Sequence, residues 1–299
     1  MAVLDNAVLD RVHRRTAAQR PGNSAAQRPG SPAAQRPRRV GRPKLGPGKP
    51  IPFGIAVGPL LLVAAWIIGS ATGALDPQTL PAPSTVLRTA ADLLADGRLQ
   101  SNLLTSLRRA AAGLALGVAV GLGLALLAGL SRLGEAVVDG PIQIKRSIPT
   151  LALIPLFIVW FGIGEQMKIL VIVISVLIPI YINTHAQLRS VDARYVELAQ
   201  TVGLSRWEFV RRVALPGSLP GFFTGLRLAV TISWIALVVV EQVNATSGIG
   251  YLMTQARTYG QIDVIVVGLV IYGLLGLFGD LAVRLVERRA LTWRQTLAD

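Results

Sequence analysis

The chain has 299 residues, of which 52% are hydrophobic and 15% charged, and its mean hydropathy is +0.53. This balance excludes an ordinary water-soluble domain and indicates a protein that lies in a membrane. There is no cysteine, which excludes disulfides, thiol nucleophiles and cysteine-ligated metals, and we expect neither a catalytic nor a metal site.

The first 50 residues form a basic segment of low complexity. They hold eleven of the 30 Lys and Arg residues and repeat Ala-Ala-Gln-Arg-Pro from Ala17, Ala25 and Ala33. Such a segment buries too little apolar surface to offset its ordering entropy, so we expect a disordered cytoplasmic tail. Beside an apolar body, its charge favours anionic lipid over nucleic acid as a partner. Residues 51–299 are predicted to form one transmembrane domain.

Six apolar runs in that domain predict about six transmembrane helices in an all-α membrane fold. The runs are Phe53–Thr72, Ala110–Leu130, Ile148–Phe161, Ile169–Ile182, Phe222–Val240 and Val264–Val283. The third and fourth runs are shorter than the others and contain prolines. A re-entrant pair is therefore the alternative to two full crossings there, and it leaves the orientation of the remaining spans unchanged.

The distribution of positive charge between alternate loops predicts the orientation. With the N-terminus inside, the inner loops after the tail hold twelve Lys and Arg residues and the outer loops hold six. Positive residues are retained on the cytoplasmic side. Both termini are therefore predicted to be cytoplasmic, in a multi-pass membrane protein.

Two predicted spans carry glycine at helical spacing, which indicates close helix packing. These glycines are Gly113, Gly117 and Gly121 in the second span and Gly273, Gly276 and Gly279 in the sixth. The sixth span also contains Asp280, which we expect to pair within the bundle or to reach the inner interface near Arg284. Arg227, about one turn inside the fifth span, is expected to extend to the cytoplasmic surface.

A polar segment, 191–216, interrupts the apolar pattern between the fourth and fifth spans. Apolar residues at helical spacing up to Gly203 predict a first short helix that ends at this glycine. Ser205 and Glu208 predict a capping box that begins a second helix, which is expected to stop before Pro216. The segment is thus an amphipathic helical elbow that faces the cytoplasm.

The elbow resembles the coupling loop of binding-protein-dependent ABC importer permeases of type I. Glu197-Leu198-Ala199, then Gly203, and Val213-Ala214-Leu215-Pro216 occur at the spacings of that signature. The departures are Leu198 where alanine is usual and Val213 where isoleucine is usual. The resemblance implies that this loop docks on a cytoplasmic ATPase, and it assigns that coupling role to Glu197, Ala199, Gly203, Leu215 and Pro216.

Further segments are similar to the subgroup of permeases for aliphatic sulfonates, taurine and nitrate. These segments are Ala152–Gly164, Ile178–Thr184, Ser247–Leu252 and Asp263–Val267. The resemblance implies import of a small organic anion, with aliphatic sulfonates first and taurine, nitrate or another small solute as alternatives. It also implies three kinds of protein partner: ATPase subunits, an extracytoplasmic substrate-binding protein and a second permease copy.

The chain has no phosphate-binding P-loop. Gly46-Pro47-Gly48-Lys49-Pro50 lacks the spacing and the Ser or Thr of that motif. An ATP-driven transporter would therefore bind ATP and Mg²⁺ on a separate subunit, and this chain would need no cofactor and would not itself be an enzyme.

Polar and aromatic side chains at membrane depth are the candidates for the translocation pathway. They are Trp160, Asn183, Ser233, Trp234, Glu241, Gln242 and Asn244. For Glu241 the alternative is a place at the outer water interface, and the two tryptophans could instead be interfacial anchors.

Two other function classes fit the sequence less well. An intramembrane hydrolase needs a catalytic pair at depth, yet the only histidines are His13 in the tail and His185 at a span end. An ion-coupled secondary transporter needs ionisable groups near mid-membrane and has no use for an ATPase-docking elbow, so it ranks below the importer.

Overall fold

The computed structural model describes residues 54–293, apart from the side chains of 54–56, Ala193 and Asn244. The basic tail, 1–50, lies outside this range. All regular elements within it are helical. The α-helices are α1 (Gly54–Ala71), α2 (Pro83–Ala95), α3 (Arg98–Leu130), α4 (Arg132–Ser147), α5 (Ile154–Phe161), α6 (Glu165–Arg189), α7 (Ala193–Thr201), α8 (Arg206–Phe209), α9 (Leu215–Asn244), α10 (Ile249–Thr258) and α11 (Ile262–Ala290). A 3-10 turn (Thr150–Leu153) precedes α5, and a π turn (Val210–Ala214) joins α8 to α9.

Four helices of the described region are long and apolar enough to cross a membrane: α3, α6, α11 and the continuous helix Arg206–Val243. They contain the second, fourth, fifth and sixth predicted spans. The fourth span, for which a re-entrant segment was the alternative, is a helix of 25 residues, about 37 Å long at about 1.5 Å per residue. The first lies in the shorter helix α1.

The third predicted span, Ile148–Phe161, for which a re-entrant segment was the alternative, begins at a sharp break in the chain. The helix α4 and the segment Thr150–Phe161 meet at an angle of 89°. Pro149 lies at the break, and Ile148 before it is extended, with φ −101° and ψ 119°, because proline disfavours the α conformation in the preceding residue. The predicted inner loop before the break is the helix α4, capped by Ser131, whose side chain accepts a hydrogen bond from Gly134 N at 3.2 Å.

The helix α6 lies between α3 and α9, and glycines bring all three backbones close together. A Cβ atom at Gly117 of α3 would lie 2.7 Å from Val176 Cγ1 and 2.9 Å from Val173 O. A Cβ atom at Gly225 of α9 would lie 2.7 Å from Pro179 O. The predicted glycine ridge of the second span is confirmed as a close packing surface, and its partner is α6.

The glycines of α11 behave differently from one another. A Cβ atom at Gly279 would lie 2.7 Å from Val230 Cγ1, whereas Gly273 and Gly276 face open space within the described part of the chain. Of the three glycines in the predicted stripe, Gly279 therefore packs against α9. Next to it, Asp280 accepts hydrogen bonds from Arg227 Nε at 3.0 Å and Arg284 Nε at 2.6 Å. Arg227 is thus paired in the bundle instead of extending to the surface alone.

Candidate functional site

The first helix of the elbow forms as its sequence predicts. The Asp192 side chain caps α7 by accepting a hydrogen bond from Arg194 N at 2.9 Å. After α7 the chain reverses at Gly203, where φ is +73°, a conformation that favours glycine because it has no Cβ. Leu204 N then donates to Ala199 O at 2.9 Å, which closes the helix.

The second helix begins as predicted but does not end where it was expected to. The capping box of Ser205 and Glu208 is present in both directions. The predicted stop before Pro216 is wrong: α8, the π turn and α9 form one helix. The π turn, in which Leu215 N donates to Val210 O, widens the backbone immediately before Pro216, so the proline is accommodated without a break.

The elbow exposes large apolar side chains. Tyr195, Leu198, Val202 and Trp207 are 57%, 59%, 68% and 68% exposed. Ala199, in contrast, is buried, so the opposite face of this short helix is covered. Several large exposed apolar side chains on one short segment are typical of a docking site for another protein.

The remaining residues of the predicted coupling set differ in how far they are exposed. Glu197 is exposed, whereas Leu215 and Pro216 are half-buried where the elbow joins α9. Beside them a cleft of about 670 Å³ is lined by residues that include Tyr195, Pro216 and Trp293. The arrangement offers a partner both a protruding helix and an adjacent cleft.

The predicted pathway residues lie in different surroundings. Trp160 and Gln242 are exposed, and Ser233 is buried with its hydroxyl bonded to Val230 O at 2.7 Å. Asn183 is half-buried, and its Nδ2 donates to Pro179 O at 2.8 Å. Their role in a pathway stays a prediction.

The other three pathway candidates lie on α9. Trp234 is half-buried, and its Nε1 has no hydrogen-bond partner among the described residues. The side chain of Asn244 lies outside the described residues. Glu241 is 1% exposed, so its side chain lies inside the protein, and its part in a pathway stays a prediction.

The Glu241 carboxylate accepts hydrogen bonds from four groups on other elements. The donors are Ser106 Oγ at 2.8 Å, Arg109 Nη1 at 2.7 Å, Gly250 N at 2.9 Å and Tyr272 OH at 3.0 Å. Full satisfaction of this kind is what a buried carboxylate requires. These contacts join α9 to α3, α10 and α11, and we call this group of residues the Glu241 network.

Arg109 extends the Glu241 network to α6. Its guanidinium donates Nε and Nη2 to the two carboxylate oxygens of Glu165, both at 2.6 Å, and Nη1 to Ser247 O at 2.6 Å. Lys168 Nζ lies 2.9 Å from Glu165 Oε1. Two cations and two carboxylates thus form a neutral cluster at one end of the bundle, in which Arg109, Lys168 and Glu241 are buried and Glu165 is 56% exposed.

Sequence reasoning missed Ser106, Arg109 and Tyr272 as partners of Glu241. The available signal was the cationic pair Arg108 and Arg109 next to an apolar run, which was counted only as loop charge. Burial of Arg109 to 3% exposure shows that the second of these residues is an internal ion-pair partner.

A helical bundle of this architecture, with long apolar helices and an exposed elbow inserted between two of them, defines a multi-pass transport component of a membrane. Residues 117–292 match the family described as binding-protein-dependent transport system inner membrane component, and the chain belongs to this family.

The relatives and structural neighbours are consistent with this assignment. The chain is 43% identical over 235 residues to SsuC of Escherichia coli strain K12, named as an aliphatic sulfonates transport permease, covering 79% of this chain and 89% of that protein. It is 37% identical to SsuC of Bacillus subtilis strain 168, which carries the same name, over 80% of this chain and 86% of the relative. A crystal structure of an amino acid ABC transporter has the same fold, with a TM-score of 0.57 and 19% identity, covering 67% of this chain and 97% of that one.

Proposed function

We propose that the chain is the permease subunit of an ATP-driven importer and forms the translocation pathway for a small organic anion, with aliphatic sulfonates as the first choice. The observation that carries the proposal is the exposed apolar elbow, 191–216, whose second helix continues without interruption into a membrane-spanning helix. A docking surface joined in this way to a spanning helix suits a subunit that is moved by another protein.

The elbow is the docking site for the ATPase. Its four exposed apolar side chains need a covering surface, and the ATPase supplies it. Glu197, Ala199, Gly203, Leu215 and Pro216 shape and anchor the elbow. ATP and Mg²⁺ belong to the ATPase subunit, because this chain has no P-loop.

Movement of the elbow is transmitted to the bundle along two connections. One is the continuous helix Arg206–Val243. The other is Arg206, whose Nη2 donates to Leu130 O at the end of α3 at 2.7 Å. At the opposite end of the bundle, the Glu241 network fixes α9 to α3, α10 and α11. The helices therefore rock together between two arrangements, each stabilised by a different ligand state.

The identity of the solute follows from the relatives. Two proteins named as aliphatic sulfonates permeases are 37% and 43% identical to this chain over about four fifths of it. An extracytoplasmic binding protein delivers the solute, and a second permease copy completes the pathway in an inner membrane with both termini of this chain in the cytoplasm.

The test is transport by the reconstituted complex. The permease, its ATPase and its binding protein are placed in proteoliposomes, and uptake of radiolabelled ethanesulfonate is measured with taurine and nitrate as competitors. ATP-dependent uptake that stops when the P-loop lysine of the ATPase is replaced supports the proposal. Uptake by the permease alone without nucleotide contradicts it.

A further inference from the structure

A groove of about 320 Å³ lies where the break between α4 and α5 meets α6 and α9. Its polar lining consists of Lys145, Arg146, Thr150 and Ser175, and the rest of the lining is apolar. Lys145 Nζ donates to Thr150 Oγ1 across the break. The groove thus combines two cationic side chains and two hydroxyl groups with an apolar wall.

The groove lies near the middle of the bundle along the membrane normal. Its wall contains Ser175 and Pro179, which are ten residues from Glu165 and from Arg189, the two ends of α6. At about 1.5 Å per residue, each end of α6 is about 15 Å away. The lining residues Ile232 and Ala236 come from α9, 12 and 8 residues before its last residue, Asn244. Lys145 therefore lies near mid-membrane, although its position in the sequence predicted an inner loop.

No acidic residue lines this groove, which distinguishes it from the other deep cationic positions. Arg109 and Lys168 pair with Glu165, and Arg227 pairs with Asp280. Lys145 and Arg146 have no carboxylate within 4.0 Å in the described chain. A cation at mid-membrane without an internal counterion is costly and marks a functional site.

The broken backbone at Ile148 and Pro149 is a second, independent observation. Both residues line the groove, and the helix axis turns by 89° there. Irregular backbone at membrane depth is tolerated where it is buried in protein or lines a water-filled cavity. Ile148 is 41% exposed, so in this subunit the break opens onto the groove.

We propose that Lys145 and Arg146 form an anion-binding station within the translocation pathway, at which the negatively charged group of the solute supplies the missing counterion. This inference rests on the proposed function. Thr150 and Ser175 provide hydroxyl donors at the same station, and the apolar wall accommodates an alkyl chain. The chemistry suits a sulfonate or another small monoanion and disfavours uncharged solutes.

The experiment uses the whole complex with its ATPase and binding protein in proteoliposomes, and radiolabelled ethanesulfonate as the probe. We expect Lys145→Gln to lower uptake about tenfold or more, as for loss of a charge-assisted contact, while ATP hydrolysis stimulated by the loaded binding protein is retained. Lys145→Arg should restore uptake. Arg132→Gln, which removes a cation from the exposed start of the same helix, is the matched control and should transport normally.

Two further measurements keep the test decisive. Arg146→Gln is assayed in parallel, with the amount and melting temperature of each purified complex, so that a folding defect in one variant is recognised. Unchanged uptake per ATP in both Lys145→Gln and Arg146→Gln would show that these two cations do not form an anion-binding station. A wild-type complex that carries taurine or nitrate but no ethanesulfonate contradicts the choice of unsubstituted alkanesulfonates alone, and the station is then upheld only if Lys145→Gln lowers uptake of the carried solute. A complex that carries only an uncharged solute overturns both.

Discussion

Arg109 Nη1 and Glu241 Oε1 lie 2.7 Å apart in the interior of the bundle, although 132 positions separate them in the chain. Both side chains are almost completely buried, at 3% and 0% exposure. Each therefore depends on the other for its charge to be tolerated inside the protein. The pair holds the ends of α3 and α9 together at the opposite end of the bundle from the elbow.

Replacing either partner should destabilise the permease strongly. Arg109→Gln leaves the buried Glu241 charge without its guanidinium partner, and we expect a loss of about 3–5 kcal/mol in the free energy of unfolding. The measurement is the melting temperature of the purified protein in detergent. Arg257→Gln removes an exposed cation of α10 and should leave the melting temperature nearly unchanged. Equal melting temperatures for the two variants would contradict a structural role for the network.

The glycine ridge of α3 predicts a second stability difference. Gly117→Leu places a side chain where Val173 O and Val176 Cγ1 leave 2.9 and 2.7 Å, and overpacking of this kind costs about 1–3 kcal/mol. Gly123→Leu is the control, because a Cβ at Gly123 meets nothing within 4 Å in the described chain. We expect lower yield and melting temperature for Gly117→Leu only. A lower melting temperature for Gly123→Leu than for Gly117→Leu would show that α3 packs through its other face.

Coupling should depend on the conformation of Gly203. Gly203→Val forces a β-branched residue to φ +73°, whereas Gly203→Asn places there a residue that tolerates this region. Uptake of ethanesulfonate per ATP hydrolysed by the reconstituted complex is the measurement. We expect a large loss for Gly203→Val and near wild-type coupling for Gly203→Asn. Normal coupling in the valine variant would show that the elbow does not transmit the movement.

The exposed apolar face of the elbow should determine binding of the ATPase. Leu198→Asp introduces a charge into a side chain that is 59% exposed, so the permease itself should fold normally. Binding is expected to weaken, because a docked carboxylate without a partner is costly to desolvate. Co-purification of the ATPase with the permease measures this, and Leu133→Asp, at an exposed position of α4, is the control. Full recovery of ATPase with Leu198→Asp would place the docking site elsewhere.

Local chemistry made several features predictable from the sequence. The Ser205 and Glu208 capping box, the reversal at Gly203 and the close packing at Gly117 each depend on residues that are neighbours in the chain or on one helix face. The long spans follow from apolar composition alone. These predictions needed no knowledge of tertiary contacts.

Features that depend on contacts between distant segments could not be predicted. Glu241 meets Ser106 and Tyr272 across 135 and 31 positions of sequence, and no periodicity in one chain encodes that pairing. Lys145 was counted as a loop residue because α4 is polar, and its depth depends on the fold of α4 against α6. The helix through Pro216 escaped prediction because a π turn offsets the usual effect of proline.

The uninterrupted helix from Arg206 to Val243 has a mechanical consequence. Its 38 residues extend about 57 Å at about 1.5 Å per residue. The elbow end at Arg206 and the buried Glu241 near the other end therefore belong to one helix. If a partner moves the elbow, as proposed, a tilt of this one helix carries Glu241 and the groups bonded to it along with the elbow.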